Sequence, residues 1–277
     1  VVSIPGNYPG FALADKVYYE NTVDEDKILA IAKKERIKGI VTAGTDVCMK
    51  TVGRVCDAMG LNGLSYEASK VAVDKMLMKS RYEEYGVRTA RFRQVSFDDT
   101  DIKKTVQELE FPLIFKSVDS SGSRGIIRVD SFEEFDSAIQ YVRENTRKDY
   151  FLVEEFIEGE EFGAQAFAYD GNVSFILPHG DYVYQGDTGV PIGHYAPYNL
   201  SEEVIEDAKM QLRRAVKAMG LDNCAINADF ILKNGKTYVL EIGGRCGATC
   251  LAELVSIYYG FDYYEKILRT ALDEDPD

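Results

Sequence analysis

The sequence predicts a protein of mixed α/β and α+β class built in two parts, and three observations carry this. Near the N-terminus, apolar strand-like runs alternate with helical stripes. From about residue 113 to 242, short apolar runs follow one another through Gly-containing turns, with amphipathic helices between them. At 277 residues the chain is long enough for two domains and a sizeable core. A boundary near residue 66 separates an α/β segment, 1–66, from the remainder, 67–277.

The elements follow in order. VVSI opens as an apolar run and ends in the loop Pro5–Gly10. The chain starts at Val1, without a methionine and already apolar, so a first strand and helix are expected to precede it. Asp24 caps a helix to about Arg36, with Ile28, Leu29, Ile31 and Ala32 as its stripe. IKGIVTAG reads as a short buried strand, and Val47–Met59 as a helix closed by Gly60. Ser69–Tyr85 reads as one exposed, charged helix. RTARFRQV is a strand and Asp101–Leu109 a helix. LIFKSV and IIRV are strands flanking the loop Asp119–Gly125, and Ser131 with Glu134 forms a capping box for the next helix. FLVEEFI is a strand, and Gly163–Tyr169 and Val173–Leu177 form a hairpin about Asp170-Gly171-Asn172. Residues 178–198 lack periodicity and read as a long loop, which is uncommon unless functional. A helix over Ser201–Met219 is capped by Gly220; a hairpin at 225–242 and a helix over Ala248–Tyr259 complete the chain.

Composition narrows the function. Apolar and charged contents are ordinary, and the formal charge of −14 argues against wide nucleic-acid or anionic-membrane surfaces. A local phosphate site remains compatible with it. No apolar run is long enough for a membrane helix, and no signal peptide is visible. Five cysteines without a C-x-x-C pair fit reduced thiols and a cytoplasmic setting better than disulfides or zinc. Neither the dinucleotide glycine fingerprint nor the P-loop motif occurs, which disfavours a dehydrogenase on the first 65 residues.

The richest chemistry lies in NADFILKNGKTYVLEIGGRCGAT, residues 227–249. Asp229 and Glu241 each interrupt an apolar strand, where a carboxylate is costly unless paired or metal-bound. A two-residue loop, Asn234-Gly235, would set Glu241 opposite Ala228 and on the wrong face. A three-residue loop, Lys233-Asn234-Gly235, sets it opposite Asn227 and puts Asn227, Asp229 and Glu241 on one face. The alternative is an ordinary hairpin with two solvated acids. Arg245 follows as a fixed cation for phosphate oxygens. Lys116 precedes the loop of Ser121, Gly122, Ser123 and Gly125, whose N–H groups suit a phosphate, though a plain tight hairpin fits the same residues. Lys75 alone reads as a surface lysine, the acids around FIEGEE as mostly solvated, and His194 as a polar loop residue.

Together these features resemble the ATP-grasp superfamily over nearly the whole chain. The resemblance implies an ATP-grasp fold, two α+β subdomains clasping ATP, after a partial pre-ATP-grasp α/β domain. Residues 113–160 would carry the phosphate loop and adenine hinge, and 161–277 the metal and substrate site. Asp74-Lys75 resembles the first ATP-contacting lysine, and FPLIFKSVDSSGSRG the second, Lys116, with its phosphate loop. FLVEEFIEGEEFG resembles the hinge: Glu155 and Ile157 would meet adenine through their backbones, Glu154 nearby, with Glu161 on ribose. Asp229 and Glu241 would hold Mg²⁺ or Mn²⁺, and Arg245 and Lys116 would serve catalysis. The family usually carries E-x-N-x-R; here Gly243 stands in the Asn position, and Asn227 is the candidate replacement ligand.

The implied activity is an ATP-dependent ligase that activates a carboxylate as an acyl phosphate for attack by an amine. Substrates would be small molecules, amino acids among them, with no nucleic-acid or membrane partner and a homodimer as one arrangement. Phosphoribosylamine–glycine ligase-like and carbamoyl-phosphate-synthase-like enzymes are alternatives within the class. A non-catalytic ATP-binding regulatory module is the alternative outside it.

Overall fold

The structure is a computed structural model that describes residues 1–120, 124–183 and 191–276. Its N-terminal segment holds a two-residue parallel pair, β1 (Val2–Ser3) and β2 (Tyr18–Tyr19), then α1 (Glu25–Glu35) and α2 (Met49–Met59). Asp24 caps α1 by accepting from Lys27 N–H, and Gly60 closes α2 in the left-handed conformation. The run 37–44 forms no strand: it joins no ladder among the described residues, Gly44 N–H donates to Cys246 O at 3.3 Å, and Ile37 and Ile40 pack against the α1–α2 cluster.

The expected single helix over 69–85 is two: α3 (Tyr66–Ala72) and α4 (Lys75–Glu84). Asp74 breaks them apart by capping α4 through Met76 and Leu77 N–H. The second helix is not surface decoration, because Lys75, Met78, Lys79 and Tyr82 are buried. Their spacing is one helical face.

A four-stranded antiparallel sheet follows, in the order β3 (Phe92–Ser96), β6 (Tyr150–Glu155), β4 (Leu113–Lys116), β5 (Ile126–Val129). The helix expected over 101–109 shrinks to α5 (Ile102–Thr105). The helix α6 (Phe135–Glu144) packs on this sheet through Phe135, Ala138 and Val142 against Leu113, Phe115 and Phe151. Of the expected capping box only half forms, and not at Ser131: Glu134 reaches back to Asp130 N–H while Ser131 makes no cap bond.

The second sheet has five strands, all antiparallel, in the order β11 (Lys236–Gly243), β10 (Cys224–Lys233), β7 (Glu160–Tyr169), β8 (Asn172–Val183), β9 (Pro191–Tyr195). Of the expected long loop over 178–198, residues 178–183 and 191–195 are sheet, and 184–190 lie outside the described residues. Its polar residues deceive because the strand changes partner there: β8 pairs with β7 as far as His179 and with β9 from Gly180 onward.

Side chains alternate along β7 and β10. The even set, including Phe162, Ala164, Ala166, Ile226, Ala228 and Phe230, meets α7 (Glu202–Met219) through Ala208, Leu212, Ala215 and Val216. Ser201 caps α7 and Gly220 ends it, as the sequence predicts. The odd set faces the other way. Phe167 and Ala225 are covered by α8 (Leu251–Tyr259) and by Tyr263 of α9 (Tyr263–Ala271). Gly163, Gln165, Asn227 and Asp229 lie further along the same face, which thus carries two of the site residues expected from the sequence. Met49 and Leu64 share the α7-side core, so the first 66 residues are packed onto the rest.

Candidate functional site

The β10–β11 hairpin closes through Asn234 and Gly235, both at positive φ (52° and 72°), with Lys233 paired to Lys236. This is the two-residue turn of Asn-Gly hairpins, not the three-residue loop expected. The additional residue appears instead as a bulge. Phe230 pairs with Val239 and Asp229 with Glu241, leaving Leu240 unopposed. The bulge restores the parity that the tight turn would have broken. Asp229 and Glu241 stand directly opposite each other on one face, and Asn227 stands opposite Gly243.

The two acids differ electrostatically. The surrounding protein pushes the Asp229 carboxyl up to about 7, Glu241 adds to the rise, and Arg245 opposes it. The tip of Asp229 nonetheless keeps solvent access, so water moderates this rise. For Glu241, enclosure works upward but the Lys75 ammonium prevails and holds the carboxyl below its usual range. Two hard oxygen donors facing each other, one held ionised and one reluctant to ionise beside it, fit a divalent cation such as Mg²⁺ or Mn²⁺.

Cations converge from α4, from β4 and from the turn after β11. Lys75, at the first turn of α4, reaches Glu241 Oε1 at 3.0 Å and Ser120 O at 2.9 Å. Lys116 on β4 meets Glu154 Oε2 at 2.5 Å. Lys79, one turn beyond Lys75, lies 2.8 Å from Glu154 Oε1, as an ion pair without well-directed hydrogen-bond geometry, and donates to Thr89 Oγ1. Burial alone would raise Glu154, but the two lysines overcome it and pull the carboxyl down to about 2. Burial lowers Lys79, with Glu154 opposing. Lys79 was not singled out from the sequence; its i+4 spacing from Lys75 was the available signal.

Arg245 is held by Asp46, a second residue that the sequence did not single out. Nε donates to Asp46 Oδ1 at 2.8 Å and Nη2 to Oδ2 at 2.7 Å, a bidentate pair across 199 positions. Asp46 lies just ahead of α2. A Cβ added at Gly243 would stand 3.1 Å from its Oδ1, so the glycine leaves room for this carboxylate. Asn227 shares the face of Asp229, and its Oδ1 accepts from Gln165 Nε2 at 2.6 Å.

The residues expected to form the hinge lie at and after the end of β6. Glu155 N–H donates to Arg91 O at 3.0 Å, its side chain pairs with Arg91, and Ile157 is buried against Ala90 and Ile231. Glu161 is the second residue of β7, paired to Ile231 in the ladder. Ser121, Gly122 and Ser123 lie outside the described residues. Gly125 is left-handed (φ 69°), and a Cβ there would come 2.4 Å from Ser117 Oγ.

His194, read from the sequence as a plain loop residue, lies on β9 opposite Asp181, with His179 two positions away on β8. The chain's two histidines thus meet on one carboxylate.

The chain is similar to known proteins. A family model of the ATP-grasp domain matches residues 109–253. Alanine–anticapsin ligase from Bacillus subtilis (strain 168) is 24% identical over 93% of this chain and 60% of its own length. D-alanine–D-alanine ligase from Carboxydothermus hydrogenoformans is 28% identical, covering 95% of this chain and 90% of that protein. The crystal structure of phosphoribosylglycinamide synthetase from Anaerococcus prevotii superposes with a TM-score of 0.84 and 38% identity, covering 99% of this chain and 69% of that one. The chain therefore spans 60% of the first of these curated relatives.

Proposed function

Since the chain belongs to the ATP-grasp family, we propose that it is an ATP-dependent ligase that activates a carboxylate as an acyl phosphate for attack by an amine. Small metabolites, amino acids among them, are the substrates of this reading. The observation that carries it is the Asp229–Glu241 cross-strand pair, ringed by Lys75, Lys116 and Arg245.

Asp229 and Glu241, with Asn227 on the same face, are the residues that would hold the cation. When bound, Mg²⁺ neutralises phosphate charge. The chain's own groups do the rest. Lys75 and Lys116 bind phosphate oxygens, each exchanging part of its present carboxylate contact for the nucleotide. Glu155 and Ile157 frame adenine, with Glu154 and Glu161 nearby. The substrate carboxylate attacks the γ-phosphorus, the bond to ADP breaks, and the amine then displaces phosphate from the acyl carbon. Arg245, fixed in the plane of Asp46, faces the developing charge with its remaining donors. Catalysis of this kind is positioning and charge neutralisation.

Within the class, the 38% identity to phosphoribosylglycinamide synthetase favours a glycine-ligase-like variant as the second reading. Release of ADP from Mg-ATP, dependent on added carboxylate and amine, tests the proposal. A regulatory module would tighten on ATP and release none.

A further inference from the structure

The two histidines lie outside the ATP-binding residues but on the same sheet face. Glu241, Asp229, Gly163 and His179 form one row across β11, β10, β7 and β8. His179 is thus two strand spacings from Asp229, about 10 Å. Gly163 between them lets the imidazole lean across: a Cβ there would come 2.2 Å from His179 Cε1.

Hydrogen bonds set the tautomers. Gln165 Oε1 accepts from Gly247 N–H at 2.8 Å, which fixes its amide orientation. Gln165 Nε2 then faces Asn227 Oδ1 at 2.6 Å and His179 Nε2 at 3.4 Å. Facing an amide donor, His179 Nε2 is the acceptor, and its proton sits on Nδ1, 3.1 Å from Asp181 Oδ1. The same Oδ1 lies 2.6 Å from His194 Nδ1, which therefore also donates. His194 is left with a lone pair on Nε2, 2.5 Å from Thr249 Oγ1. These three side chains also have the spacing of a metal cluster. Yet a metal on His179 Nδ1 would move its proton to Nε2, against the Gln165 amide hydrogen.

Asp181–His194 is thus a carboxylate–imidazole pair with its basic nitrogen aimed at a hydroxyl. That hydroxyl belongs to an exposed residue in a strained conformation. Thr249 has φ 54°, unusual for a β-branched side chain, and Cys250 follows at φ 66°. Thr249 stands four residues after Arg245. Asp181 is held ionised: burial works against it, but the two imidazole N–H groups prevail.

Resting on the ligase reading above, we infer that His194 Nε2 is the proton acceptor for the incoming amine, with Thr249 Oγ1 holding the position that the amine takes, and Asp181, His179 and Gln165 as positioning residues. An α-amine is largely protonated at neutral pH and has no lone pair to attack with until a proton leaves. One ammonium proton passes to His194 Nε2, the N–C bond forms at the acyl carbon, the C–O bond to phosphate breaks, and the departing phosphate carries off the second N–H proton. Asp181 stabilises the imidazolium, which returns its proton to solvent.

Hydroxylamine separates this from the ligase reading, because it is unprotonated at neutral pH and attacks acyl phosphates without a base. Wild type and His194→Gln are given Mg-ATP and an equimolar mixture of the proteinogenic amino acids, with and without hydroxylamine. The expected result is a loss of about 10²-fold or more in amine ligation by His194→Gln, with hydroxamate formation lowered far less. Equal losses in both overturn the inference and leave the ligase reading standing. No hydroxamate from wild type counts against the ligase reading on these substrates. The tautomers are then read by NMR on protein labelled with [¹⁵N]histidine, whose two rings should both carry the proton on Nδ1. An Nε2–H tautomer at His194, or displacement of both resonances by stoichiometric Zn²⁺, overturns the relay.

Discussion

Asp46 stands over Gly243 while both of its oxygens clamp Arg245 at 2.8 and 2.7 Å. The residue that replaces the family's usual Asn is therefore matched by a carboxylate from the first segment. An asparagine at 243 would start with its Cβ 3.1 Å from Asp46 Oδ1, so one of the two must give way.

Gly243→Asn should therefore loosen Arg245 rather than simply supply a ligand. Turnover is expected to fall, and Asp46→Ala in the same chain should recover part of it by removing the clash. Initial rates of ADP release in the two single variants and the double decide this. Additive losses would mean that the two positions do not interact.

Asp46→Asn alone should destabilise the fold by about 1–3 kcal/mol. The pair is mostly enclosed, with side-chain exposures of 15% for Arg245 and 24% for Asp46, and removing one partner leaves a poorly compensated charge. Urea unfolding followed by circular dichroism gives the value, and an unchanged midpoint would assign the clamp no stabilising role.

Lys79→Met should be more damaging, about 3 kcal/mol or more, because Lys79 and Glu154 side chains are each 2% exposed. Lys116 alone would then compensate Glu154. The depressed Glu154 carboxyl contributes stability at pH values above its unfolded pKa, and this is lost as pH falls toward about 2. Lys79→Met should shrink that acid-side loss. An acid-unfolding profile identical to wild type would contradict the arrangement.

The pattern of what the sequence reveals follows from these residues. Most of the strands, the Asp-Gly and Asn-Gly turns and the caps of α1 and α7 depend on neighbours in the chain, and they were legible; the end of β8 and β9 were not. The strand expected over 37–44 was not formed, because a strand needs a partner that local pattern does not supply. The bulge at Leu240 corrects the hairpin parity through pairing with β10, itself held by β7, and no local signal announces it. Asp46 meets Arg245 across 199 residues, and His179 and His194 meet through the β8–β9 pairing, where local pattern predicts a loop. Such contacts are set by topology rather than by composition.

The Asp229 carboxyl, pushed up toward about 7 by the surrounding protein and held back by water, gives a pH test. A raised acid opposes ionisation in the folded state, so stability without divalent cation should fall as pH rises from about 4 through 7. Cation binding competes with the proton, so the Mg²⁺ midpoint for protection against thermal unfolding should drop over the same range and then level. Asp229→Asn should flatten both curves. A Mg²⁺ midpoint independent of pH between 5.5 and 8.5 would remove Asp229 from the cation site.

The most direct measurement is ADP release from Mg-ATP by wild type and by Glu241→Gln, with and without a panel of amino acids supplying carboxylate and amine. Glu241→Gln keeps the shape and removes the charge, so binding and fold should survive while turnover falls by about 2.7–4 kcal/mol of transition-state stabilisation. The predicted result is amino-acid-dependent ADP release in wild type that nearly vanishes in the variant. Substrate-dependent release at equal rates in both would contradict the assignment of Glu241, and tight Mg-ATP binding with no release in either would contradict the ligase itself.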